Sequence, residues 1–418
     1  MFAVHYTEFG GPEVLHLAEA AAPHPLQNQI RVRVKAAGVS PVDAALRSGR
    51  TPMSARLALP HIPGVDAAGV VDEIGPGVTG VAPGDEVFGS VELAGLGGAS
   101  AEFAILRSWA PKPATMPWAQ AGAAGTSVET ATRALDLLDV HPGMTLLIDG
   151  AAGGVGSVAV QLAVARGARV IGTARPSNHD FLRKLGATPI TYGPDLPTRV
   201  TSTNHPLNPT SAGANRALDP AGAHLDHARD VAGTRDVRAL NADGAPADRA
   251  HSAAGALDHH ALNAAGARVD RALDVAGAGV DRALDAAGPR VDRALDAAGP
   301  RVDRALDAAG PRVDRALDVA GAGSLPELIS LTGDPASVLS LADFSAASHG
   351  VRLSMGELAG EPHGRHGLRA AAELFTQGRF VIPIEAEFSL MNAAAAHTAV
   401  ESGSRRGKIV LILDDHPA

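Results

Sequence analysis

The stretch best equipped for chemistry runs from Thr145 to Ala174, TLLIDGAAGGVGSVAVQLAVARGARVIGTA. Within it, Ala151-x-Gly153-x-x-Gly156 stands between the apolar run Thr145–Asp149 and an amphipathic helical pattern, and a second β-branched run, Ala168–Thr173, follows. A strand that turns sharply into a helix here lets the backbone of Gly153, Gly154, Val155 and Gly156 approach an anion, and the helix dipole favours negative charge at that end. The strand–turn–helix–strand context of about thirty residues is what a dinucleotide pyrophosphate cradle requires. The glycine spacing alone also suits an ordinary tight turn, the more so because its first position is Ala151.

The end of the second run bears on which dinucleotide. A carboxylate about twenty residues past the motif would bond a ribose 2′-hydroxyl, but this sequence reads Thr173-Ala174-Arg175-Pro176-Ser177-Asn178. Arg175 offers a fixed positive charge, and Thr173, Ser177 and Asn178 offer donors, a set suited to a 2′-phosphate and hence to NADP(H). Arg175 is equally at home as a solvated surface residue.

Bulk properties narrow the class. A chain of 418 residues predicts two or three domains. A net charge of −9 with no basic stripe argues against a nucleic-acid partner. The absence of cysteine excludes disulfides, thiolate nucleophiles and cysteine-ligated zinc. With no apolar run of about 18 residues and no secretory h-region, the expectation is a protein without membrane association, in the cytoplasm.

The expected fold class is α/β. Residues 1–118 alternate short β-type runs (Gln29–Ala36, Ala67–Ile74, Glu86–Phe88, Ala101–Leu106) with Gly/Pro turns, as a small β-rich domain does. Residues 119–198 carry the βαβ pattern of a doubly wound parallel sheet. Residues 312–357 resume that pattern, with a helix at Leu325–Leu331 and strands at Ser337–Leu341 and Gly350–Met355. From 358 to 418 a helix at His366–Gln377 precedes the β-type runs Phe380–Ile384 and Lys408–Leu413, which return to the first domain.

Between these parts lies a tandem repeat with a period of 11, over residues 199–311, with glycines at 266, 277, 288, 299, 310 and 321 and the unit GPRVDRALDAA. Gly-Pro at the later boundaries argues against one continuous helix. One Val and one Leu per unit offer too little apolar surface to order a solenoid, so a poorly ordered low-complexity insert is expected. Val313–Ala320, the last copy, connects by a short loop to the helix at 325 and is expected to be the fourth strand of the parallel sheet.

Several blocks together resemble the medium-chain dehydrogenase/reductase superfamily, in its zinc-free quinone oxidoreductase-like branch. They are AAGVSPVDAALRSG at 36–49, PHIPGVDAAGVVDEIGPGVTGVAPGDEVFG at 60–89, TATRAL at 130–135, the glycine motif, ITYG at 190–193 and RRGKIVL at 405–411. The resemblance covers 1–198 and 312–418. It implies a GroES-like catalytic domain built from both chain ends, a Rossmann domain between them, and a homodimer acting on a small-molecule substrate. It also implies that Thr130 lies near the nicotinamide, that Lys408 lies near the cofactor, and that Tyr192 falls where similar proteins hold the 2′-phosphate.

Two positions depart from the branch. Ser40 stands where relatives usually have Asn, in the VSPVD turn that includes Asp43, and Arg50 stands near the position where many relatives carry a substrate-facing Tyr. Both departures bear on the substrate rather than the cofactor. Ser40, Asp43 and Thr130 are the candidate catalytic residues, and each also suits plain turn or cap chemistry. Zinc relatives carry His-Glu where this chain has Val65-Asp66, and His61 nearby reads as a loop residue, so no metal site is expected. What remains is NADPH-dependent hydride transfer to a quinone or an α,β-unsaturated carbonyl compound. The competing reading is an inactivated nucleotide-binding paralogue whose repeat serves an interaction or no function.

Overall fold

The computed structural model describes residues 1–51, 53–91, 97–202, 313–402 and 406–413. The expectation that the repeat insert is poorly ordered lies outside the described residues.

The chain opens with an antiparallel pair, β1 (Phe2–His5) and β2 (His16–Glu19). Strands β3 (Ile30–Val39), β4 (Asp66–Ile74), β5 (Glu86–Val91) and β6 (Phe103–Pro111) follow as an antiparallel meander, and β3 also pairs with β6, which curls the sheet towards a barrel. β5 and β6 extend beyond the sequence expectation because their Gly89–Trp109 and Ser90–Ser108 pairs continue the ladder past the apolar runs. Their inward residues share one core with Val4, Tyr6 and the C-terminal Ile409 and Leu411.

A parallel sheet follows, made of β7 (Thr145–Asp149), β8 (Arg169–Thr173), β9 (Thr188–Ile190), β10 (Arg315–Asp318), β11 (Val338–Ser340) and β12 (Arg352–Leu353), in the spatial order β12-β11-β10-β7-β8-β9. The order reverses at β7, which is where a doubly wound sheet binds its ligand. Leu146, Leu147 and Ile148 are fully buried because helices cover both faces. β12 is only two residues long, so the strand expected over Gly350–Met355 is mostly loop.

The last repeat copy supplies β10. Arg315–Asp318 lies in register beside Leu146–Asp149 on one side, and its Ala316–Asp318 pairs with Val338–Ser340 on the other. Leu317 is completely buried between them. Asp318 ends the strand by accepting from the N–H groups of Ala320 (3.1 Å) and Gly321 (2.8 Å) and from the Ser340 hydroxyl (2.7 Å).

β13 (Ile384–Ser389) and β14 (Lys408–Ile412) return to the antiparallel sheet, β14 pairing with β3. The run Phe380–Ile384, expected as a strand, is one only from Ile384 onward. Side-chain amides replace a strand neighbour there: Gln161 Oε1 accepts from Val381 N–H (2.8 Å), and Gln120 Oε1 accepts from Ile382 N–H (3.1 Å).

Nine described α-helices connect the strands, and three position the site: α1 (Pro41–Arg47), α3 (Gly125–Leu137) and α4 (Gly154–Ala165). α2 (Trp118–Gly122) leads into α3. A further helix, Leu196–Ser202, crosses the boundary at 198/199 expected from composition.

Candidate active site

The glycine turn is built as a cradle. Gly150 carries the left-handed backbone of the turn (φ +81°), and Gly153 caps α4. A Cβ on Gly156 would sit 2.3 Å from Gly150 O, so only glycine lets helix and strand meet this closely. A Cβ on Gly153 would meet only Gly150 O, at 3.4 Å, so the approach to this end of α4 is open at Gly153, next to helix N–H groups that lack intrahelical partners. Val155 is half-buried within that turn. Ala151 at the first motif position is fully buried and faces Gly172 of β8, where a Cβ would lie 2.8 Å from the Ala151 Cβ. The missing first glycine is thus compensated across the sheet, and Gly150, which the motif spacing does not single out, makes the turn.

The residues expected to read the 2′-position separate into two groups. Arg175 Nε donates to Tyr192 Oη at 3.3 Å, and both residues are exposed beyond the ends of β8 and β9. Ser177 and Asn178 lie in the 3-10 turn Pro176–Asn178 that follows Arg175, Ser177 exposed and Asn178 half-buried. Thr173 points the other way. It is buried, its hydroxyl donates to Asp149 and accepts from Gly150 N–H (3.0 Å), and this takes it out of the donor set and makes it a brace for the turn. Asp149 Oδ2 also accepts from Ser324 Oγ at 2.6 Å.

The candidate catalytic residues converge from three elements. Ser40 caps α1, and Asp43 three residues on accepts from Ser40 N–H (2.7 Å) and from Gly64 N–H (3.1 Å). Both Asp43 oxygens are therefore used to hold the turn against the 60–66 loop, which is cap chemistry. Burial pushes the Asp43 carboxyl up to about 7, with the nearby Asp66 carboxylate adding to the rise and the bond from Ser40 N–H opposing it.

Lys408, the first residue of β14, reaches Ser40 Oγ at 2.7 Å and Asp66 Oδ2 at 3.0 Å, and all three side chains are buried. The other Asp66 oxygen accepts from Thr126 N–H at the start of α3. Thr130 stands one turn further along the same face of α3, half-buried, with its hydroxyl directed to Glu129 Oε2 at 3.2 Å. The segment before β14 bonds directly to the cradle, Gly407 N–H donating to Ala152 O at 3.3 Å. Arg50 is exposed beyond α1.

Asp66 and Thr126 are members of this constellation that sequence reading missed. Asp66 was visible only as a substitution at a zinc-ligand position, and its partner Lys408 lies 342 residues away in the chain.

A family model for the alcohol dehydrogenase GroES-like domain matches residues 26–113, and one for zinc-binding dehydrogenases matches residues 255–411. With these two matches the chain is similar to the medium-chain dehydrogenase/reductase superfamily. Among relatives of this superfamily, the chain is 40% identical to a quinone oxidoreductase of Rattus norvegicus over 178 residues, 42% of this chain and 53% of that protein. It is 34% identical to a chloroplastic NADPH-dependent alkenal/one oxidoreductase of Arabidopsis thaliana over 193 residues, 44% of this chain and 50% of that one. The matched stretch spans about half the length of these curated relatives. The solved quinone oxidoreductase of Coxiella burnetii shares the fold, with a TM-score of 0.64 at 23% identity, covering 99% of each chain.

The superfamily includes zinc enzymes, but the donor set here does not fit the metal. The chain has no cysteine, Val65 precedes Asp66, and both Asp66 oxygens are engaged by Lys408 and Thr126. A dinucleotide, by contrast, fits the open cradle over Gly153.

Proposed function

We propose that this protein is an NADPH-dependent, zinc-independent oxidoreductase that reduces a quinone or an α,β-unsaturated carbonyl compound. The observation that carries this reading is the Lys408 bridge, which ties the glycine cradle to the Ser40 turn and so sets a polar, buried reaction site against a dinucleotide site. The names of the rat and Arabidopsis relatives support the same chemistry.

The cofactor supplies a hydride when bound. The residues Gly153, Gly154, Val155 and Gly156 hold the pyrophosphate by backbone N–H groups, and Arg175 with Tyr192, Ser177 and Asn178 meets the 2′-phosphate. Thr130 and the Ser40 turn flank the reacting end, and the burial of Ser40 limits water there. We place the catalytic domain at 1–118 and 358–418 and the cofactor domain at 119–198 and 312–357, in a cytoplasmic homodimer. No described helix is long and apolar enough to cross a membrane.

An NADPH fluorescence titration followed by addition of a generic quinone or enone tests the reading. Saturable binding with turnover is expected, and binding without turnover on any such acceptor favours the inactivated paralogue. The complete parallel sheet, with β10 seated between β7 and β11, weighs against a damaged fold.

A further inference from the structure

We propose that the Ser40 hydroxyl donates the proton that completes the reduction, and that Lys408, oriented by Asp66, resupplies it. The inference rests on the reductase reading above and adds a route for the second half of the reaction.

A Lys Nζ is a donor only, so the 2.7 Å contact uses a lone pair of Ser40 Oγ and directs the hydroxyl proton away from Lys408. No described residue accepts that proton, although Ser40 is buried. The ammonium keeps its place through Asp66 Oδ2 at 3.0 Å, and Asp66 is fixed by Thr126 N–H. Lys408 thus acts through Ser40, and Asp66 is the residue that positions Lys408. A carboxamide at position 40 would hydrogen-bond here but would not release a proton.

A bound dinucleotide would supply a hydride to the electrophilic end of the acceptor, which would leave the negative charge on the acceptor's carbonyl oxygen. That oxygen takes the Ser40 Oγ proton, so one O–H bond breaks as another forms. An Nζ–H proton then passes to Oγ, and solvent reprotonates Lys408. One hydride and one proton are consumed per turnover. The charged and titratable groups facing the turn are Asp43, Asp66 and Lys408, with Tyr6 and Arg47 behind Asp43.

The full-length protein carries four lysines, Lys35, Lys112, Lys184 and Lys408, so an ammonium spectrum of 15N-lysine-labelled protein is readily assigned by single replacements. Ser40→Ala is expected to shift the Lys408 signal, to leave NADPH affinity unchanged, and to lower turnover by about 100-fold or more, as loss of general acid catalysis does. Its solvent isotope effect should change with the loss. Ser40→Thr should restore turnover. Lys408→Arg keeps the charge but does not give up its proton, so its rate should rise as pH falls, unlike that of wild type.

A Lys408 signal unmoved by Ser40→Ala, or a Ser40→Ala enzyme with full turnover and an unchanged isotope effect, overturns the inference alone. Wild-type protein that binds NADPH but reduces no acceptor overturns the reductase reading and the inference with it.

Discussion

The stem of Lys408 lies across Gly154 so closely that a methyl group on Gly154 would come within 2.8 Å of Lys408 Cδ. The second half of the cradle is therefore glycine for the sake of a lysine that arrives from the other sheet, besides any ligand. Gly154→Ala should displace Nζ, because the stem is pinned at its far end by Ser40 and Asp66. The expected result is a shifted Lys408 ammonium signal together with weaker NADPH binding. A variant that keeps both would show that the stem moves aside without consequence.

Arg175 and Tyr192 form an exposed pair at the end of β8, where the sequence Thr173–Asn178 carries no carboxylate. A charge-assisted contact to a 2′-phosphate contributes about 1.5–3 kcal/mol, which corresponds to at least a tenfold preference for NADPH over NADH. Arg175→Ala should remove most of that preference by weakening NADPH alone. Parallel dissociation constants for both cofactors in wild type and variant settle the point, and equal affinities in wild type would refute the assignment.

Prolonged chelation should leave turnover unchanged, since Asp66 is already engaged by Lys408 and Thr126. Elemental analysis of the purified protein should find no stoichiometric zinc. Tightly bound zinc lost in step with activity would reverse this conclusion.

Leu317 is fully buried in β10 between two parallel neighbours. Leu317→Ala should cost about 2–5 kcal/mol in chemical denaturation. Leu317→Asp should cost more, because it adds a buried unpaired charge. A negligible effect of either substitution would mean that another segment takes the place of β10.

Two buried groups set opposite pH trends. Burial lowers His397 from 6.5 to about 3, and the charge on Arg47 adds to the shift. The unfolded chain then binds a proton that the folded chain refuses, so stability from this group is present above pH 6.5 and falls as pH drops towards 3. Asp43 is raised from 3.8 to about 7, so the folded chain keeps a proton that the unfolded chain has released. Its contribution is full below pH 3.8 and is lost as pH rises through 7. His397→Gln should therefore leave a Tm that declines from pH 4 to 7, and Asp43→Asn one that climbs from pH 3 to 6.5. Curves of the same shape for wild type and both variants would contradict the two shifts.

The cradle, the β7–α4–β8 unit and the strand role of the last repeat copy were legible in the sequence. Each is written in consecutive residues, where apolar periodicity and glycine positions determine the local path of the chain. Thr145–Asp149 is a strand as read, and Val313–Ala320 contains β10. The lack of a carboxylate just beyond β8 was also readable, because it is a local fact. What only the tertiary structure decided are pairings between distant segments. Thr173 faces Asp149 rather than a ligand, Phe380–Pro383 is held by glutamine side chains rather than a strand, and Ala151 substitutes for glycine because Gly172 makes room. Lys408 meets Ser40 and Asp66 because β14 closes the antiparallel sheet beside β3, and that register depends on how the whole sheet packs. Hydrogen bonds and close contacts of this kind act over a few ångströms in space, and sequence separation carries no record of them.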